Sequence, residues 1–203
     1  MKRREFALGT AAIAVSGLTS LPAQAAKDYV ELRRVVPVEA PAGQIEVIEF
    51  FSYGCVHCKT FEPIFENWVK AAPKDVAVRR VHVGFSKEFE PLQRIFYALQ
   101  AIGFNVSVHG KVFGALQDEK KALNVPDQLF AWVAQQGIDR AKFEAAYKSF
   151  GVATQVRRAV LLQDAYRVEG TPALGIAGRY YTDPEVAQGF ENMIKVANML
   201  IDK

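Results

Sequence analysis

A strongly apolar run of seven residues, Ile45 to Phe51, interrupted by Glu46 and Glu49, leads into the turn Ser52-Tyr53-Gly54 and then into Cys55-Val56-His57-Cys58. That tetrapeptide holds the only two cysteines of the 203-residue chain. The apolar run reads as a buried strand. The residues from Cys55 to about Ala71 read as a helix, with Phe61, Phe65, Trp68 and Val69 near helical spacing. The fold must therefore pass from strand to helix at the two thiols, which are spaced to close a small ring. Pro63 is expected to kink that helix.

The segments on either side narrow the topology. Arg34 to Val38 is expected to form a short edge strand in which Pro37 limits pairing. Val76 to Phe85, VAVRRVHVGF, is expected to form a second strand, so strand, crossover helix and strand make a parallel βαβ unit. From Pro91 to about Val168 the pattern turns helical. Leu92, Ile95, Phe96, Leu99 and Ile102 form one apolar stripe ended by Gly103. Further helices are expected at 106–120, 126–136, 139–149 and 154–167, with Gly137 and Gly151 as stops. A structureless loop of that length would be improbable, so it reads as an inserted helical subdomain. Ala173 to Ile176 and Arg179 to Tyr181 then flank Ala177-Gly178 as a tight hairpin. Asp183-Pro184-Glu185 opens a last helix with Val186, Phe190, Met193, Ala197 and Leu200 on one face. The expected fold class is α/β, thioredoxin-like: β-α-β, a helical insert, then β-β-α. Its parts are 26–90, 91–168 and 169–203.

A cysteine attacks only as its thiolate, so a redox cysteine needs a lowered pKa. At a helix start Cys55 would receive unpaired backbone N–H groups and the positive end of the helix dipole. His57, when protonated, would add a further positive group. Cys58, one turn in and facing the core, is the expected resolving thiol. Stabilising the Cys55 thiolate stabilises the reduced protein and makes the disulfide a stronger oxidant. A zinc site lacks a second ligand pair, since His57, His82 and His109 are scattered. A c-type haem would need histidine at position 59, where Lys59 stands. A purely structural disulfide would hold little of the fold together. Glu49 lies inside the apolar strand, where a carboxylate is desolvated unless paired; its pKa would then rise and it could exchange a proton with Cys58. Alternation alone equally permits a solvated Glu49–Arg80 pair on an exposed face. Gly170-Thr171-Pro172, read from the residues alone, is an ordinary turn with a trans bond before a strand.

Glu49 to Cys58, Arg80-Val81-His82-Val83 and Gly170-Thr171-Pro172-Ala173, in that order, resemble the DsbA family of periplasmic thiol:disulfide oxidoreductases, over essentially the whole mature chain. The resemblance implies that Pro172 is a cis-proline facing the dithiol and exposing backbone to an extended substrate segment. It places Thr171 where its hydroxyl could approach the sulfurs, and Arg80 at the family's basic position, as partner of Glu49. It implies no cofactor, a monomer, exported proteins with free thiols as substrates, and reoxidation by a membrane quinone-linked oxidase of the DsbB type. Two departures, Val56 where Pro is common and Thr171 where the best-known members have Val, bear on redox strength and substrate preference. The other readings are a reductase or isomerase of the same fold, and a redox-inert chaperone-like binding module.

Residues 1–25 read as an export signal. Lys2-Arg3-Arg4 precede a weakly apolar stretch, Phe6 to Leu21, and the small-x-small site Ala23-Gln24-Ala25. Arg3-Arg4-Glu5-Phe6 also resembles a twin-arginine core. A periplasmic destination permits a disulfide. The net charge of +3 owes part of its excess to that segment, and removing it leaves 22 basic against 21 acidic residues. No basic stripe interleaved with aromatics supports nucleic-acid binding.

Overall fold

The structure, a computed structural model, describes residues 28–104 and 106–203; the expected export signal lies outside the described residues. Five strands form one sheet in the order β1-β5-β4-β2-β3. They are β1 Val30–Glu31, β2 Ile45–Phe51, β3 Val76–His82, β4 Ala173–Ile176 and β5 Tyr180–Thr182. β2 and β3 run parallel in a register that sets Glu49 beside Arg80 and Phe51 beside His82. β4 is antiparallel to β2 and to β5. The parallel pair needs a crossover, and α1, Val56–Ala71, supplies it, running unbroken through Pro63.

One face of the sheet buries Val47, Leu174 and Ile176 against Phe61, Phe65 and Trp68 of α1 and against Met193, Val196 and Leu200 of α7, Phe190–Ile201. Ile48, Phe50 and Ala173 join the other, larger cluster, which runs into the helices between β3 and β4. These are α2 Glu90–Ala101, α3 Val106–Gln117, α4 Pro126–Gln135, α5 Arg140–Lys148 and α6 Phe150–Tyr166. Tyr166 packs on Phe50 at 5.2 Å between ring centroids. Gly175 makes room for it: a Cβ there would collide with the Tyr166 ring. In the β4–β5 turn, Gly178 has φ +67° and lies against the Val36 carbonyl.

Several boundaries differ from the sequence reading. The edge strand is Val30–Glu31, paired with β5, and not Arg34–Val38. Around that stretch the Leu32 and Val36 N–H groups donate to Arg179 O and Gly178 O at 2.7 Å, and Pro37 has no N–H with which to continue the ladder. β3 ends at His82; Val83 donates once more to Phe51 O, at 2.8 Å, before the chain turns away. Gly151 does not stop a helix. The break falls at Ser149, whose Oγ accepts from Val152 N at 3.1 Å and caps α6, which starts at Phe150 rather than 154. The last helix begins at Phe190 instead of 183. Asp183 Oδ1 accepts from the N–H groups of Glu185 at 2.9 Å and Val186 at 2.8 Å, and Gly189 at φ 130° breaks the path. Such a side-chain turn competes with helix for the same donors.

Candidate active site

Cys55 is the N-cap of α1, with φ −88° and ψ 118°, and its carbonyl accepts the first helical bond from Lys59 N at 3.3 Å. Serine or aspartate usually fills this role, accepting from the backbone with a side-chain oxygen. Here the sulfur does so, from Cys58 N at 3.4 Å. The preceding turn is tied by Cys55 N to Ser52 O at 3.0 Å and Gly54 N to Ser52 Oγ at 3.2 Å. Both thiols are free; Cys55 is half-buried and Cys58 fully buried. Their surroundings drive them apart. The Cys58 thiol donates to the Cys55 sulfur, and with Thr171 and the N–H groups of Cys58 and His57 it outweighs burial and brings Cys55 down to about 5. Burial, followed by the hydrogen bond to the Cys55 sulfur and then the charge on it, holds the Cys58 thiol far above the ordinary thiol range. One sulfur is thus ready to ionise at neutral pH, and its neighbour keeps its proton.

Thr171 faces this pair across the Thr171–Pro172 bond, which is cis, the isomer that the resemblance implies and the residues alone did not favour. The protonated Cys55 thiol donates to Thr171 O at 3.2 Å, and the Thr171 side chain lowers the pKa of both cysteines. His57 reaches Cys55 through its backbone N–H. Its exposed ring lies beside Phe190, at 6.5 Å between centroids.

On β2, Glu49 is only 1% exposed, which rules out the solvated-pair alternative. Its Oε2 accepts from Arg80 Nε at 2.8 Å. The same guanidinium reaches Glu62 Oε1 at 3.3 Å and Glu66 Oε1, and lies 5.3 Å over the Phe65 ring. Three carboxylates around one buried cation leave a surplus of negative charge in a poorly solvated space. Burial, against the pull of Arg80 and with the push of Glu62 and Glu66, raises Glu49 to about 8. Glu62 goes the other way: burial opposes its ionisation, but hydrogen bonding and charge from His109, with Arg80, lower its pKa.

Several of these residues were not singled out from sequence. Glu62 and Glu66 follow Cys58 at four-residue steps, so a helix places all three on one face; that spacing was visible. His82, part of the segment that carries the family resemblance, and His109, which the sequence offered only as a scattered candidate metal ligand, both bind polar groups of Tyr53. His82 Nε2 accepts from Tyr53 N at 3.1 Å while its Nδ1 faces Val83 O at 2.9 Å. A backbone N–H can only donate, so Nδ1 carries the proton; burial keeps the ring neutral, with a pKa of about 3. His109 Nδ1 meets the Tyr53 hydroxyl at 2.9 Å, and its Nε2 lies 3.4 Å from Glu62 Oε2. Gln117 Nε2 donates to the carbonyls of Tyr53 at 2.9 Å and Cys55 at 3.0 Å. Among the described residues, no group of three or more His, Cys, Asp or Glu side chains is placed to hold a metal ion.

An acidified cysteine capping the crossover helix of a parallel pair, with its partner one turn deeper, makes the protein a thioredoxin-fold enzyme of thiol–disulfide exchange. The thioredoxin family model matches residues 39–196. The chain is 42% identical over 197 residues to the thiol:disulfide interchange protein DsbA of Bordetella bronchiseptica, covering 96% of this chain and 93% of that one. It is 38% identical to the protein of the same name from Pseudomonas aeruginosa, covering 96% and 94%. The crystal structure of Pseudomonas aeruginosa DsbA superposes with a TM-score of 0.83 at 38% identity, over 87% of this chain and 91% of that one. The oxidoreductase DsbA of Xylella fastidiosa gives 0.79 at 30% identity, over 86% and 94%. The chain belongs to the DsbA family of thiol:disulfide oxidoreductases, within the thioredoxin superfamily.

Proposed function

We propose that this oxidoreductase works as a disulfide donor to newly exported proteins in the periplasm. A substrate thiolate attacks Cys55 Sγ; the Cys55–Cys58 bond breaks, and its electron pair leaves on Cys58, which takes up a proton. Glu49, protonated at neutral pH, is the group that supplies it. A second substrate thiolate then attacks the substrate sulfur of the mixed disulfide, and Cys55 departs as a thiolate. The substrate loses two electrons and the enzyme gains them. Pro172 and Thr171 line the substrate's approach, Arg80 holds Glu49, and residues 91–168 act as an inserted helical subdomain. A membrane quinone-linked oxidase of the DsbB type recovers the disulfide.

The observation that carries this reading is the place of Cys55 at the N-cap of α1, where its sulfur accepts from Cys58 N at 3.4 Å, an environment that brings the thiol down to about 5. A thiolate this comfortable is a good leaving group, and the reduced form is favoured. The test is to mix Cys58→Ser with a reduced unfolded protein under mild oxidant. A stable mixed disulfide at Cys55, together with a reduction potential of the wild-type enzyme in glutathione buffer well above that of thioredoxin, about −270 mV, supports the donor role. A potential near the thioredoxin value assigns the enzyme to reduction instead.

A further inference from the structure

The turn that presents Cys55 contains Gly54, exposed and without a side chain to anchor it. Its neighbour Tyr53 is fixed by two histidines, through its N–H to His82 and its hydroxyl to His109. The carbonyls on either side of Gly54 are held from elsewhere. Gln117, the last residue of α3, spends both hydrogens of one amide nitrogen on Tyr53 O at 2.9 Å and Cys55 O at 3.0 Å. The next residue, Asp118, pairs with Lys59 on α1, but Asp118 is 63% exposed, and a pair of this kind contributes little. The two amide bonds are therefore the principal polar link between the C-terminal end of α3 and the backbone of the redox turn.

We infer that Gln117 is a positioning residue for the exchange reaction, holding the carbonyls of Tyr53 and Cys55, the residues that flank Gly54, so that the Cys55 sulfur stays over the first turn of α1. The inference rests on the proposed role of Cys55 as the attacked and leaving sulfur. Two effects follow from the geometry. Fixing the Cys55 carbonyl fixes the origin of its side chain, and with it the 3.4 Å contact between the sulfur and Cys58 N. The amide hydrogens also offset the partial negative charge of two carbonyl oxygens close to a developing thiolate, an electrostatic contribution of the preorganised kind. Both act on the charged form of Cys55 far more than on the disulfide, so losing them should weaken the oxidant rather than merely loosen the fold.

The test uses reduced Gln117→Leu, which keeps bulk and removes both donors, and Gln117→Glu, which keeps length and hydrogen-bonds neither carbonyl when ionised. In each, the ultraviolet absorbance of the Cys55 thiolate is followed against pH and the reduction potential is measured in glutathione buffer. The expected result is a rise of the Cys55 midpoint by about one unit or more in both variants. The potential should fall by about 30 mV for each tenfold change in the dithiol–disulfide equilibrium, with little change in the melting temperature of the oxidised form. If one variant does not fold, the other is decisive. A midpoint unchanged from wild type, with only the melting temperature lowered, overturns the inference and leaves Gln117 structural. An ordinary wild-type midpoint, near 8.5, would instead bring down the proposed function itself.

Discussion

Two sulfurs three residues apart ionise in opposite directions because one lies at the helix cap and the other in the core. Cys55 collects hydrogens from the Cys58 thiol and from backbone N–H groups, whereas Cys58 has no solvent contact. The same contrast operates among the carboxylates, where Glu49 takes the proton that three acids around Arg80 cannot all give up. Since Glu49 titrates at about 8 when folded and at about 4.3 in an unfolded chain, the native state binds the extra proton between those values. Its contribution makes stability fall as pH rises through that window. Glu49→Gln should therefore be more stable than wild type at pH values around 8, read from denaturant midpoints. The same variant should reduce the rate at which Cys58 is protonated after substrate attack, and the single-turnover rate should lose its dependence on a group near 8. An unaltered rate profile would remove Glu49 from proton transfer. Cys55→Ser should abolish oxidation of a reduced substrate, measured as disulfide gained per enzyme.

Among the elements, the central parallel pair and its crossover were legible in the sequence because apolar runs and helical spacing are strong there. Ile45–Phe51 and the helix after Cys55 came out essentially as read. The helical insert between β3 and β4 was likewise visible from its stripes and its length. What misled was punctuation. Gly151 looked like a stop, yet the cap that separates α5 from α6 is Ser149. Asp183-Pro184-Glu185 looked like a helix start, yet the Asp183 side chain closes a turn on itself first. Local hydrogen bonds decided both, and periodicity does not see them. The site was legible down to its cysteines and Glu49, whereas Gln117 and the two Tyr53-binding histidines depend on contacts across 29 to 64 residues of chain. Ser149→Ala should cost about 1 kcal/mol by loss of the cap, read from chemical unfolding. Gly175→Ala should cost about 1–3 kcal/mol, because the new methyl must displace the buried Tyr166 ring. A neutral effect at Gly175 would mean that the sheet and α6 are not in close contact there.

For the whole molecule, what matters is how folding and redox state are linked. A thiolate held at about 5 when folded, against about 8.5 in an unfolded chain, stabilises only the reduced protein. Its contribution is fully present above the unfolded value and is lost as pH falls through the folded one. The disulfide form has no such group and gains nothing from the helix cap. The ring closed by two cysteines three residues apart also removes little entropy from the unfolded chain, so it cannot restore the balance. Differential scanning calorimetry of the reduced and oxidised forms across pH measures this balance directly. The reduced form should melt at the higher temperature at neutral pH, with the gap closing as pH falls through about 5. An oxidised form that melts higher at neutral pH, or a gap that does not change with pH, would contradict the account.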